Sequence, residues 1–286
     1  MSKVEKIIAE NLNLTIEDIA EGLLETSGIK GKIPTNWKQI LSYLDLKQLS
    51  FSFMTELEFV PAVTEKNVRA ILSFNEKVIA VHGGLNKKQT IFSTFHEVGH
   101  FTLPEHIDKL YLCDTNDLSF FAKSRLEAEA NRLAADLIFQ VDHFTEEANA
   151  YPLECSTITK LAEKYNASFE ATARRYVEKN YAPCALIVYK KIVEGFEELE
   201  LDGLPMFKVQ YTITSKSFRE KYFTNILKEE VIPGKSLVYD AYKKLDATQI
   251  VKSKMQIEIV GKGKIMFDSE LFTNIYKVFR LVLPQT

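Results

Sequence analysis

Ser93-Thr94-Phe95-His96-Glu97-Val98-Gly99-His100-Phe101 is the stretch on which the reading of this chain turns. It reads H-E-x-x-H inside an apolar, helix-compatible run. In an α-helix, residues four apart share a face and lie roughly 6 Å apart along the axis. His96 and His100 can therefore aim two imidazoles at one Zn²⁺, and Glu97, beside the first of them, can reach the water that such a metal acidifies. Two partly buried helical histidines can also be plain packing residues. The chain has only five His, however, so this pattern is rare by chance.

Working outward, the composition is that of a folded protein. At 286 residues the chain is long for one domain; 46% of it is hydrophobic and 26% charged. A net charge of −3 gives no global basic field for nucleic acid. Cys113, Cys155 and Cys184 form no C-x-x-C pair, which argues against a disulfide framework or a cysteine zinc site and suits a reducing cytoplasm. The first residues, Met1-Ser2-Lys3-Val4-Glu5, lead into no apolar h-region, and no run is apolar enough for a membrane helix.

Residues 4–26 read as helical, Gly28 to Pro34 as a break, and Trp37 to Leu44 as a short amphipathic helix. A strand is expected over Leu49 to Met54. A hairpin follows, with strands over 68–74 and 77–82 joined at Asn75-Glu76. The helix carrying the histidines should run from Lys88 to Leu103, with Pro104 as its stop. A loop through Cys113, Asp114 and Asn116 leads to a second helix over about 118–140, whose Leu126, Ala130, Leu133, Ala134 and Leu137 make one buried stripe. Strands followed by two helices around this motif make a small zincin-like α+β domain.

A catalytic zinc site wants three protein ligands and an open position. The metzincin extension requires Gly at 103 and His at 106; here 103 is Leu, so His106 reads as a loop residue. The second helix offers Leu126-Glu127-Ala128-Glu129-Ala130-Asn131. Glu127 and Asn131 share a face, so Glu127 can ligate while Asn131 holds a ligating histidine in one tautomer. Glu129 lies about 200° round the helix from Glu127 and is the alternative ligand; one of the two should face outwards.

With these residues in view, the sequence resembles the ImmA/IrrE family of metallopeptidases, through Phe95-His96-Glu97-Val98-Gly99-His100, then Glu127-x-x-Ala130-Asn131-x-x-Ala134 and Leu137-Ile138. The resemblance implies a gluzincin-like set, with His96, His100 and Glu127 on zinc and Glu97 as the base. It implies cleavage of helix-turn-helix repressors, inducing a stress response or mobile-element transfer. Leu133 stands where the family often has Phe, and Gln140 where it often has Pro. The match is specific over about 68–180 and loose elsewhere.

Downstream, Ser156 to Tyr165 and Ser168 to Lys179 outline a helix-turn-helix, with Ser168 as the N-cap of its second helix. That helix sets Arg174, Arg175 and Lys179 against Glu170 and Glu178, a poor groove-reading charge pattern, so packing or protein contact is the better expectation and DNA binding should be weak or absent. From Ala182-Pro183 the chain reads as α+β. Strands are expected over 185–189, 207–214, 255–260 and 278–283, a turn at Gly261-Lys262-Gly263-Lys264, and helices over 218–230 and 236–245. The resemblance implies a GAF-type sensor fold there. The expected division is therefore a zincin-like metallopeptidase domain over 1–150, with a helical part over 1–45, a helix-turn-helix-like segment over 151–181, and a C-terminal regulatory or partner-binding domain over 182–286. The expected protein is a cytoplasmic zinc metalloendopeptidase, with Mn²⁺ as the alternative metal and a repressor as substrate. The rival expectation is a DNA-binding or ligand-sensing regulator that uses the zincin fold as a scaffold.

Overall fold

The computed structural model describes residues 11–52, 68–106, 120–194, 197–198, 200–201, 203–222, 231–232, 236–244, 249–259 and 261–284. The loop expected through Cys113, Asp114 and Asn116, the first ten residues, and the expected helical residues 223–230 lie outside them. The chain divides into two compact units: residues 1–144 with 164–168, and residues 145–163 with 169–286. Both mix helices and strands.

In the first unit, α1 (Ile16–Thr26) follows a break at residues 12–15 within the helical stretch expected over 4–26, of which residues 4–10 lie outside the described ones. Residues 12–15 are non-helical, because Thr15 and Asp18 form a reciprocal capping box that gives the helix a new start. Ile19, Ala20, Leu23 and Leu24 form its buried stripe. α2 (Trp37–Leu44) is capped by Asn36 and ends on Asp45 in the left-handed region, φ 58°. The small sheet has the order β1 (Lys47–Phe51), β3 (Val78–His82), β2 (Ala70–Ser73). β2 and β3 make the expected hairpin, and β1 runs parallel to β3.

α3 (Lys87–Thr102) carries the histidine motif and opens on a capping box between Asn86 and Gln89. α4 (Phe120–Phe139) packs across it. The crossing is close because a glycine meets an alanine. A Cβ built on Gly99 would stand 2.9 Å from Ala130 Cα, a backbone atom that cannot rotate away. Small residues at these two positions let the helix axes approach until side chains of both reach a common point.

Gln140 ends α4 in the left-handed region, φ 53°, as does Val141, φ 49°. Its buried amide accepts from Gly31 N–H at 2.6 Å and donates to Ile29 O, Lys32 O and Thr35 Oγ1 at 3.0–3.2 Å. Where a proline would stop the helix by lacking a donor, this glutamine stops it and holds the break before α2 in place. Phe139, Phe144 and Tyr165 close the core with ring centroids 4.7–5.8 Å apart.

α5 (Asp142–Ala150) was not anticipated from the sequence, where its polar Asp-His-Phe-Thr-Glu-Glu-Ala-Asn-Ala run shows too few apolar positions. The second unit continues with α6 (Cys155–Lys164) and α7 (Phe169–Glu178). Next come β4 (Ala185–Lys191), two short ribbons pairing β5 (Val193–Glu194) with β6 (Glu197–Glu198) and β7 (Glu200–Leu201) with β8 (Leu204–Pro205), and then β9 (Phe207–Thr214). After α8 (Lys216–Tyr222) come β10 (Val231–Ile232), α9 (Leu237–Lys243), β11 (Val251–Ile259), β12 (Gly263–Thr273) and β13 (Lys277–Leu283). The long strands form one antiparallel sheet of order β10-β9-β4-β13-β12-β11.

One face of the sheet joins Ile187, Tyr189, Phe267 and Val278 to Phe218 of α8 and Val238 of α9 in an apolar cluster. On the other face Phe169 of α7 stacks on Phe272 at 3.9 Å, and Glu170 binds Lys277 and Tyr211. Helices on both faces explain why Ala185–Tyr189 is buried at every position. β12 escaped the sequence reading because Asp268-Ser269-Glu270 interrupts its apolar pattern. Glu270 is buried for a local reason: its carboxylate accepts the Cys155 N–H at 2.8 Å, at the positive end of α6.

Candidate metal centre

His96 and His100 project from one face of α3, and Glu127 and Asn131 from one face of α4. Their ligand atoms converge. His96 Nε2 is 3.1 Å from His100 Nε2 and 3.2 Å from Glu127 Oε2, and His100 Nε2 is 3.7 Å from Glu127 Oε1. Two nitrogens and one oxygen each about 2.0–2.2 Å from a tetrahedral cation stand roughly 3.3–3.5 Å apart, so these separations fit a divalent ion of zinc's size. Among the described residues this is the group of His, Cys, Asp and Glu side chains able to hold a metal.

The far side of each imidazole is also engaged. His96 Nδ1 lies 3.0 Å from Asn131 Oδ1, an acceptor, so a proton held on Nδ1 would leave the Nε2 lone pair for a cation at the centre. His100 Nδ1 lies 3.0 Å from His106 Nδ1, and His106 Nε2 lies 3.0 Å from Glu129 Oε2. The structure thus brings His96, His100, Glu127 and Asn131 together as the spacing requires, and puts Glu129 and His106 behind His100. His106 was expected to be a loop residue. It follows the end of α3 but is fully buried. The only hint in the sequence was its position six residues after His100; nothing in the pattern pairs it with Glu129.

Glu97 sits on the same turn, buried. Burial raises its carboxyl to about 7, with the Glu127 charge adding and His96 opposing. For His96, burial pulls downward, but the Glu127 hydrogen bond, the Glu97 and Glu127 charges and the Asn131 bond more than reverse it, and the net shift is upward. His100 is pushed down to about 4 by burial and by the His96 and His106 charges, against Glu127. Burial also lowers His106, with its bond to Glu129 opposing. Without a cation, burial thus favours the uncharged forms of Glu97 and His100, while Glu127 and Glu97 draw His96 towards its charged form.

The cluster opens into a cavity of about 800 Å³. β2 flanks it with Ala70, Leu72 and Ser73, and Phe74 and Phe92 add apolar wall. Phe74 stacks on Phe101 at 6.1 Å and Phe92 on His96 at 6.4 Å, so the wall and the first histidine are braced together. Gln48 donates to Thr94 Oγ1 at 2.7 Å and ties β1 to α3.

Residues 55–176 match the family model described as Peptidase_M78, IrrE N-terminal-like domain. This segment is an IrrE N-terminal-like domain. The IrrE-like domain holds the whole His96–His100–Glu127 cluster, and together they make the site a zinc-metallopeptidase-like active site. No curated protein matches the chain. Among solved structures, a Mycobacterium tuberculosis transcriptional regulator is similar with TM-score 0.51 at 14% identity, over 99% of this chain and 81% of that one. At that identity the likeness is one of fold. No described helix is long and apolar enough to cross a membrane.

Proposed function

We propose that this protein is a cytoplasmic, site-specific zinc metalloendopeptidase that cleaves a helix-turn-helix transcriptional repressor, inducing a stress or mobile-element response. The observation that carries the hydrolytic part is the convergence of two imidazoles and a carboxylate with Glu97 beside them at a cavity floor. His96, His100 and Glu127 would hold the metal, and an N, N, O donor set suits zinc, with manganese as the alternative. A bound divalent cation acidifies water and polarises a carbonyl. Glu97, buried beside the three ligands, would take a proton from the attacking water and return it to the leaving amine. Asn131 keeps His96 in the ligating tautomer. Leu72, Phe74 and Phe92 give the cavity an apolar wall for substrate side chains.

The repressor as substrate rests on the kinship of residues 55–176. The second unit, an antiparallel sheet covered by helices on both faces, suits the GAF-type regulatory or partner-selecting fold that the kinship implies. The fold neighbour's description as a transcriptional regulator supports a second reading, in which α6 and α7 bind DNA. Against it, the helix that would read the groove buries Thr172, Ala173, Arg175, Tyr176 and Val177, and its exposed Arg174 is paired with Glu178 at 3.3 Å. Weak, salt-sensitive DNA binding is what that surface supports.

Incubation of the zinc-loaded protein with casein and with a helix-turn-helix repressor encoded beside its gene tests this reading. One cut in the repressor, little casein digestion, and at least about a hundredfold loss in Glu97→Gln with metal retained are expected. Equal digestion of casein defeats the claim of specificity. No cleavage by a metal-loaded protein that binds DNA tightly at physiological salt puts the regulator reading ahead.

A further inference from the structure

The two histidines of the cluster are held from behind in different ways. His96 leans on one amide, Asn131. His100 leans on a second imidazole, which in turn leans on a carboxylate. For His100 to offer Nε2 to the centre, its proton must sit on Nδ1 and be donated to His106 Nδ1. His106 must then carry its own proton on Nε2 and donate that to Glu129. One tautomer of each ring satisfies the chain, and the carboxylate at its end selects it. Glu129 is itself held by Arg125, with Nε 3.7 Å from Oε1, and Arg125 Nη2 is fixed by Glu105 at 2.8 Å.

We propose that His106 and Glu129 are a positioning pair for His100, setting its tautomer and ring orientation and thereby the affinity of the centre for its metal. The inference rests on the reading of His96, His100 and Glu127 as metal ligands. Nδ1 of His106 faces the back of His100 and its Nε2 faces Glu129, so both are engaged outside the group of ligand atoms, which separates this role from that of a fourth ligand. Glu129 bonds His106 and not the centre, which separates it from Glu127. The placement follows from helix geometry: Glu127 and Glu129 are about 200° apart on α4, and the chain just past α3 brings His106 beneath the second of them. Glu129 is 31% exposed and His106 fully buried, so the pair links the buried back of His100 to the domain surface.

The test uses the full chain. Zinc affinity is measured by competition with a chromogenic chelator for wild type, His106→Phe, His106→Gln, Glu129→Leu and Glu129→Gln, and folding is checked by thermal melting. Loss of an outer partner of this kind costs about 10–100-fold in metal affinity. That loss is expected in His106→Phe and Glu129→Leu, which remove the acceptor. Both glutamine variants keep an amide oxygen in reach and should recover most of the affinity. Nitrogen-15 NMR of the histidines in the metal-free protein reads the tautomer directly: His100 should be protonated at Nδ1 in wild type and mixed in Glu129→Leu. The part-exposed Glu129 keeps the test open if His106→Phe does not fold. Folded leucine and phenylalanine variants within threefold of wild-type affinity, with the His100 tautomer unchanged, overturn the inference alone. A wild-type chain that holds no zinc overturns the metal reading and this inference with it.

Discussion

Around α3 and α4 the first unit buries Thr94, Glu97, His100, Thr102 and His106 among its apolar side chains. Under α8 and α9 the second unit's sheet buries an unbroken apolar cluster, from Ala185 and Tyr189 through Phe267 to Val282. In the sheet, each buried group adds transfer and packing energy, and removing one leaves a cavity. In the helix pair, several buried groups are ionisable, so each costs desolvation unless a partner or a cation offsets it. The two regions therefore predict opposite signs for the same kind of experiment: truncation should weaken the sheet, and neutralisation should strengthen the site while disabling it.

Phe267→Ala should give the largest stability change, a loss of about 3–5 kcal/mol measured by denaturant unfolding, with zinc affinity unchanged. A parallel loss of metal would break the distinction between the regions. Glu97→Gln should move the other way in metal-free protein. The folded carboxyl titrates at about 7 against an ordinary value of 4.5. Below 4.5 both states are protonated and the burial of this group has no pH-linked cost. Between 4.5 and 7 the unfolded state ionises first, so the wild type loses stability as pH rises. The substitution should therefore gain about 3 kcal/mol above pH 7, the gain shrinking to nothing below 4.5. A gain independent of pH would assign it to packing instead.

Gln140→Ala tests whether polar burial in the first unit is also structural. It strands the Gly31 N–H and removes the amide donor from the Lys32 carbonyl and from the Ile29 carbonyl, which keeps the Lys32 N–H, and should lower stability by about 2 kcal/mol without a direct effect on the ligands. Unchanged stability would mean that water replaces the amide. Gly99→Ala is the smallest effect on stability and the sharpest on the site. Alanine gains about 1 kcal/mol of helix propensity, and overpacking against Ala130 costs about 1–3, for a net loss of about 1 kcal/mol. Because the clash is with backbone, α3 and α4 must separate, and zinc affinity should fall by more than the stability change implies. Chelator competition beside thermal melting reads both.

The amino-acid sequence determined the centre by periodicity. His96 and His100 four apart, and Glu127 and Asn131 four apart, each lie on one helix face whatever the tertiary fold, and the stripe from Leu126 to Leu137 marks the buried side of the second helix. Small residues at 99 and 130 were visible, but that they face each other was not. Strands that alternate or run apolar were legible too. β12 was not, because the reason for its buried Glu270 is a helix N-terminus more than a hundred residues earlier. The break at residues 12–15 is a different case, because the Thr15–Asp18 capping box that sets the start of α1 is local to the sequence. Gln140, His106 and Glu129 belong with β12. Gln140 reads as a departure from the family's proline, His106 as a loop residue and Glu129 as the alternative ligand, and each is held by partners that only chain folding brings near. Periodicity is a property of one element and survives in the sequence. A hydrogen bond between elements depends on where two segments meet, and that is decided by packing.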